Sequence, residues 1–231
     1  ARDLSSAAFK TDRIQYHDGA YKSIDNYSYL ILRNEAIPIN VYIGVDIAAT
    51  ATQRSDFQVI MIIGIDANKN RYILEYYRER IPTFDLPQKI IDMARKYTPV
   101  RRVTIETVAA QEMVRDMVTR MAAADRRLIP GIFKGVKPPP GIKKADRLET
   151  SLGPIVNSKK LYIRREMTEL VDEMFEHPVP KNDDLMDGLY YADYYSKAPL
   201  STAISVSEMR SGKKGGSKLK GYYNWMTGAR R

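Results

Sequence analysis

The stretch Val41-Tyr42-Ile43-Gly44-Val45-Asp46 (VYIGVD) is a short apolar run that ends on a carboxylate. A run of this length, rich in β-branched residues, reads as a buried strand. A longer run follows, Phe57 to Asp66 (FQVIMIIGID), with Asp66-Ala67-Asn68-Lys69-Asn70 forming a turn. Arg71 to Arg80 (RYILEYYRER) then alternates, setting Tyr72, Leu74 and Tyr76 on one face. The first three elements are therefore a strand and a hairpin.

Beyond Arg80 the period changes. Leu86, Ile90, Ile91 and Ala94 have helical spacing, and Pro87 lies near the helix start, where proline is tolerated. RRVTIE (Arg101 to Glu106) is another strand with a carboxylate at its end. Gln111 to Asp125 forms an amphipathic helix whose Met113, Met117 and Met121 line one side and are expected to pack in the core. Leu128 to Val136 is strand-like, and a helix runs from Lys143 to Asn157, interrupted in its second half by Gly153 and Pro154. Leu161 to Ile163 is a small edge strand, Met167 to Phe175 a helix, and Asp183 to Tyr195 the last helix. The order β-β-β-α-β-α-β-α, then further helices, predicts an α/β fold: a mixed β-sheet flanked by helices.

Residues 1–37 mix charges with Tyr16, Tyr21, Tyr27 and Tyr29 without a clear period and are expected to be a linker. Residues 199–231 lose order, and Gly212 to Gly221 (GKKGGSKLKG) is a basic, flexible tail. His17 falls in the linker and His177 in a loop near the acidic block; neither is expected to carry chemistry. Of 231 residues 44% are hydrophobic, which is enough to build one core unaided. The absence of cysteine removes disulfides and thiolate metal sites and fits an intracellular setting. No apolar run approaches the roughly 18 residues of a membrane span. Lys plus Arg number 37 against 28 Asp plus Glu, and the resulting charge of +9 favours a polyanion such as nucleic acid.

The candidate chemistry lies in the acids. Asp46 and Glu106 end two buried strands, and Asp183, Asp184 and Asp187 open the last helix in KNDDLMDGLYYADYY. A carboxylate at a buried strand end is costly unless paired, hydrogen-bonded or bound to metal. In open α/β sheets such ends meet in the crevice where ligands bind. Clustered carboxylates suit hard cations such as Mg²⁺ or Mn²⁺, and two such ions can hydrolyse a phosphodiester. Asp184 and Asp187 share a helical face, whereas Asp183 points elsewhere and is a candidate helix cap.

These residues, as Asp46 in GVDIAAT, Glu106 in IETVAAQ, and NDDLMDGLYYADY, resemble the motifs of the nuclease domain of the large terminase subunit of tailed bacteriophages and herpesviruses. The resemblance covers residues 38–198, the expected nuclease domain. It implies an RNase H-like fold, with Asp46, Glu106 and Asp184 as core ligands of Mg²⁺ or Mn²⁺ and with Asp187 and Asp183 as further candidates. GIKKADRLE resembles a Lys-rich helix start of that family, which makes Lys143, Lys144 and Arg147 candidate contacts to DNA phosphates. It also implies an endonuclease cutting double-stranded viral DNA in the host cytoplasm, with the portal protein and the small terminase subunit as partners. No G-x-x-x-x-G-K-[ST] loop occurs, so residues 1–37 are expected to be the connection from an ATPase domain. Two alternatives stay open at this point: another RNase H-like nuclease such as a Holliday-junction resolvase, and a non-catalytic DNA-binding module.

Overall fold

A computed structural model describes residues 8–47, 57–107, 111–180, 182–200 and 204–206. In chain order these form β1 (Gln15–Tyr16), β2 (Ala20–Ile24), β3 (Tyr27–Leu32), β4 (Glu35–Asp46), β5 (Gln58–Ile65), β6 (Arg71–Glu79), α1 (Leu86–Lys96) and β7 (Val100–Glu106). They continue with α2 (Gln111–Ala124), β8 (Phe133–Val136), α3 (Lys144–Asn157), β9 (Leu161–Ile163), α4 (Thr168–Glu176), α5 (Asp184–Asp193) and β10 (Ile204–Ser205).

β5 is buried at every position, as a strand covered on both faces must be. It pairs antiparallel with β4 on one side and with β6 on the other. β7 runs parallel to β4, β8 parallel to β7, and β9 parallel to β6. The result is a mixed sheet flanked by helices, the α/β class read from the sequence. Alternation along the strands divides two cores. Val41, Ile43, Val45, Ile60, Ile62, Val103 and Ile105 face α1 and α2. Tyr42, Val59, Met61, Ile63 and Ile73 face α3, α4 and α5.

The N-terminal segment expected to be a linker is folded instead. β2 and β3 form a meander that pairs with residues 35–39 of β4, and β1 adds to the sheet edge beside β9. Its turns have two residues each, Asp25-Asn26 and Arg33-Asn34, all four with positive φ. That is the left-handed geometry that matches the twist of tight hairpins. Leu30 joins one core, and Phe9 and Ile14 join the other. His17, expected to be idle, is buried between Tyr72 and the Ile73 carbonyl, to which its Nε2 lies at 3.0 Å.

Two helices also depart from expectation. In α2 the buried stripe is Gln111, Val114, Val118 and Ala122, while Met113 is exposed. The helix lies against α1 and β8, and of the methionines Met121 packs at the edge of the core while Met117 is half-buried. α3 continues through Pro154 without interruption. Burial of Leu148, Leu152 and Val156 along one face offsets the single hydrogen bond the proline removes. No helix among the described residues is long and apolar enough to cross a membrane. The expected tail, including Gly212 to Gly221, lies almost wholly outside the described residues; β10 pairs with the start of β4.

Candidate active site

Strand alternation fixes where the two strand-end acids point. Ile43 and Val45 face α1 and α2, so Gly44 and Asp46 face the opposite side, towards α5. On the neighbouring parallel strand Val103 and Ile105 face α1 and α2, so Thr104 and Glu106 share the α5 side. Val45 pairs with Ile105, which sets Asp46 beside Glu106 at the carboxyl ends of adjacent strands. Glu106 lies close enough to Asp46 to raise its pKa.

α5 carries the third acid over this pair. Leu185 through Ala192 are all buried, because α5 is wedged between the sheet and the helices α3 and α4. The wedge is possible only because Gly44 lacks a side chain: a Cβ there would lie 2.1 Å from the Gly188 carbonyl oxygen and 2.2 Å from the Ala192 nitrogen. Backbone thus lies on backbone, and Asp187, one residue before Gly188, reaches the end of β4. Burial raises the Asp46 pKa well above the ordinary carboxylate range, and the charges of Asp187 and Glu106 add to the rise.

The acids of α5 then part company. Asp187, 2% exposed, accepts a hydrogen bond of 2.8 Å from Arg147 Nη2 and an ion pair from Lys144. Burial raises its pKa, against the pull of those two cations. Asp183 takes the N-cap position without making a side-chain cap, and its carboxylate accepts from Lys144 Nζ at 2.7 Å. Asp184 turns to Arg78, 3.4 Å away, in a separate cluster with Glu173 and Glu169. Burial raises the Asp184 pKa and Arg78 opposes it. Asp46 thus stands beside Glu106 and feels the charge of Asp187, Asp187 shares Lys144 with Asp183, and Asp184 pairs with Arg78.

The basic candidates also separate. Lys143 is exposed at the N-cap of α3. Arg147 is buried, holds Asp187, and lies 4.9 Å from the centre of the Tyr190 ring. His177 lies 3.0 Å from Glu149 through Nε2 and packs edge-on against Phe9, which is a structural role.

Four neighbours escaped the sequence reading. Tyr191 is fully buried, and its hydroxyl makes no hydrogen bond among the described residues, although Glu106 lies close enough to raise its pKa beyond the effect of burial. It sits four residues after Asp187, on the same helical face, so the spacing was a usable signal. Gly44 and Gly188 set the approach of helix and strand. Glu173 of α4 accepts the Met186 N–H at 3.1 Å, capping α5 from outside where Asp183 does not.

Burial pushes Glu173 up to about 8, although the Met186 N–H and Arg78 both favour its charged form. A carboxyl group whose folded pKa is raised binds its proton more tightly in the folded state. Its contribution is complete below 4.5 and is lost as pH rises through about 8. Glu173→Gln should flatten that part of the stability profile: the Tm of wild type falls relative to the variant as pH climbs across this window.

A divalent cation fits this setting. The acids here are hard oxygen donors, Asp187 pairs with two cationic side chains, the Asp46 pKa is raised, and the buried Tyr191 hydroxyl lacks a hydrogen bond among the described residues. Each is a sign of negative charge and donor capacity that the protein does not balance by itself. Among the described residues, however, no three acids are drawn together as a finished ligand shell.

No protein-family model and no curated protein matches the sequence. Among solved structures, the chain is similar to the large terminase nuclease from thermophilic phage G20c with bound zinc, with a TM-score of 0.56 and 14% identity over 82% of this chain and 99% of that one. It is also similar to the P22 large terminase nuclease domain, with a TM-score of 0.53 and 14% identity over 82% of this chain and 91% of that one. At such identities the likeness concerns the fold, and the fold of this chain is the RNase H-like fold of the large terminase nuclease domains.

Proposed function

We propose that this chain is a divalent-metal-dependent endonuclease that cuts double-stranded viral DNA during genome packaging, with little sequence preference. The observation that supports this reading is the position of Asp46 and Glu106 at the ends of adjacent parallel strands, where the charge of Asp187 of α5 acts on Asp46. Ligands of open α/β sheets gather at such strand ends. The fold shared with terminase nuclease domains supports the same reading.

Asp46, Glu106 and Asp187 are the residues that would hold Mg²⁺ or Mn²⁺, with Asp183 at the rim. Asp187 takes the place first given to Asp184, because Asp187 is the acid of α5 whose charge acts on Asp46. Two bound ions would supply an activated water at neutral pH and neutralise charge on the scissile phosphate. The protein's own part is positioning. β4 holds Asp46 rigidly, and Arg147 fixes the orientation of Asp187 through a charge-assisted hydrogen bond. Arg147 is thus a holder of Asp187 rather than a phosphate contact, which leaves Lys143 and Lys144 as the exposed cations of that helix start. No side chain is needed as a covalent nucleophile. A DNA substrate also suits the charge of +9. The portal protein, the small terminase subunit and an ATPase domain are the partners this reading implies, in the cytoplasm of an infected host.

The test is cleavage of supercoiled plasmid with Mn²⁺, alongside a chelator control. Nicked and linear products that vanish with chelator are expected. Strong preference for a four-way junction over linear duplex would make the chain a resolvase. Salt-sensitive DNA binding without cleavage under either ion would make it a binding module.

A further inference from the structure

We propose that Lys144 is a resident counter-ion of the metal-free centre, which a divalent cation must displace. Its Nζ is shared between Asp183, at 2.7 Å, and Asp187. These two acids come from the start of α5, whereas Lys144 comes from the first turn of α3, so the ammonium ties two helices together across the mouth of the acidic cluster. Its charge also acts on Asp46, so it stands within reach of the acids proposed to bind metal. An ammonium group and a divalent cation compete for the same lone pairs, and the like charges repel at such distances.

The contrast with Arg147 sharpens the assignment. Arg147 is 9% exposed and is locked by the Asp187 hydrogen bond and by stacking on Tyr190, so it cannot leave. The Lys144 side chain is 43% exposed and rides on a flexible stem at a helix start, so it has room to swing outward. Once displaced, the ammonium faces the solvent side of the cleft, where a phosphate would approach. On this reading the acids balance their charge with a protein cation when no metal is bound.

The inference rests on the metal-binding reading above, and the experiment separates the two. Mn²⁺ binding to the whole chain is measured by electron paramagnetic resonance of free Mn²⁺, without DNA and without reference to cleavage, for wild type, Lys144→Met, Lys144→Gln, Lys144→Arg and Asp46→Asn. Circular dichroism checks each variant for folding; two neutral replacements guard against one that misfolds. Lys144→Met and Lys144→Gln are expected to bind Mn²⁺ on the order of tenfold more tightly than wild type, since a repelling charge has been removed. Lys144→Arg should stay near wild type. Unchanged or weaker binding in both neutral variants, with binding lost in Asp46→Asn, overturns the role of Lys144 and leaves the metal site standing. Wild-type binding in Asp46→Asn overturns the metal site itself.

Discussion

Asp46→Asn is expected to remove Mn²⁺-dependent plasmid cleavage while leaving the protein at least as stable as wild type. The two halves of this result have one cause. Burial and the neighbouring Asp187 and Glu106 disfavour a charge at Asp46, so folding alone would be better served by a neutral amide. The carboxylate is costly to the metal-free fold, and its use must lie elsewhere. Outer partners of metal ligands are worth about 10–100-fold in affinity or activity, so loss of a direct ligand should exceed roughly a hundredfold. Asp187→Asn should match it in activity. Asp184→Asn, whose carboxylate faces Arg78, should retain most cleavage. Loss of cleavage in Asp184→Asn with full activity in Asp187→Asn would reverse the assignment of the two acids. Full activity in Asp46→Asn would remove the proposed centre altogether.

Gly44→Ala is expected to be the most damaging single methyl group in the sheet. The added carbon would sit 2.1 Å from the Gly188 carbonyl and 2.2 Å from the Ala192 nitrogen, both backbone atoms that no rotamer change can move. Relief requires α5 to lift from β4, which loosens the buried contacts of Leu185, Leu189 and Tyr191 with the sheet side. Overpacking of this kind costs about 3 kcal/mol or more, equivalent to a Tm fall of roughly 6–12 °C in a protein of this size. Gly131→Ala is the control, since nothing lies within 4 Å of its new methyl group. Thermal denaturation of the two variants side by side decides the matter. A Tm near wild type for Gly44→Ala would mean that helix and strand are not locked there. Cleavage by Gly44→Ala should also fall below its melting point, because Asp46 and Asp187 lie on the two elements that must separate.

Much of this architecture was legible in the chain. VYIGVD, FQVIMIIGID and RRVTIE carry buried-strand runs of the right length, and the period switch at Leu86 marks the first helix. Alternation then places Asp46 and Glu106 on one face of the sheet, so the pairing of these acids follows from local pattern. The meander was not legible, because AYKSI and YSYLIL mix Lys, Ser and Tyr on a partly solvated sheet, which hides the alternation. Its signal lay in the turns, where Asp25, Asn26 and Asn34 are residues tolerant of positive φ. Which acid of α5 faces the pair could not be read either. Asp183, Asp184 and Asp187 differ only in helical phase, and that phase is set by the Gly44–Gly188 contact, a tertiary event between distant segments. The methionine stripe of α2 misled for a related reason: apolar periodicity marks a buried face only to within a residue, and the tightness of packing chooses between Met113 and Val114.

The meander bears on where this molecule can be trimmed. A shortened chain starting at residue 38 would keep every acid of the cleft and still lose Phe9, Ile14 and Leu30 from its two cores. It would also lose the Tyr21 hydroxyl that donates to the carbonyls of Tyr97 and Thr98, and the Gly19 carbonyl that accepts from Arg164. The oily surface uncovered would invite aggregation. Trimming at residue 38 is therefore expected to lower the melting temperature, because it takes core residues as well as hairpin contacts away.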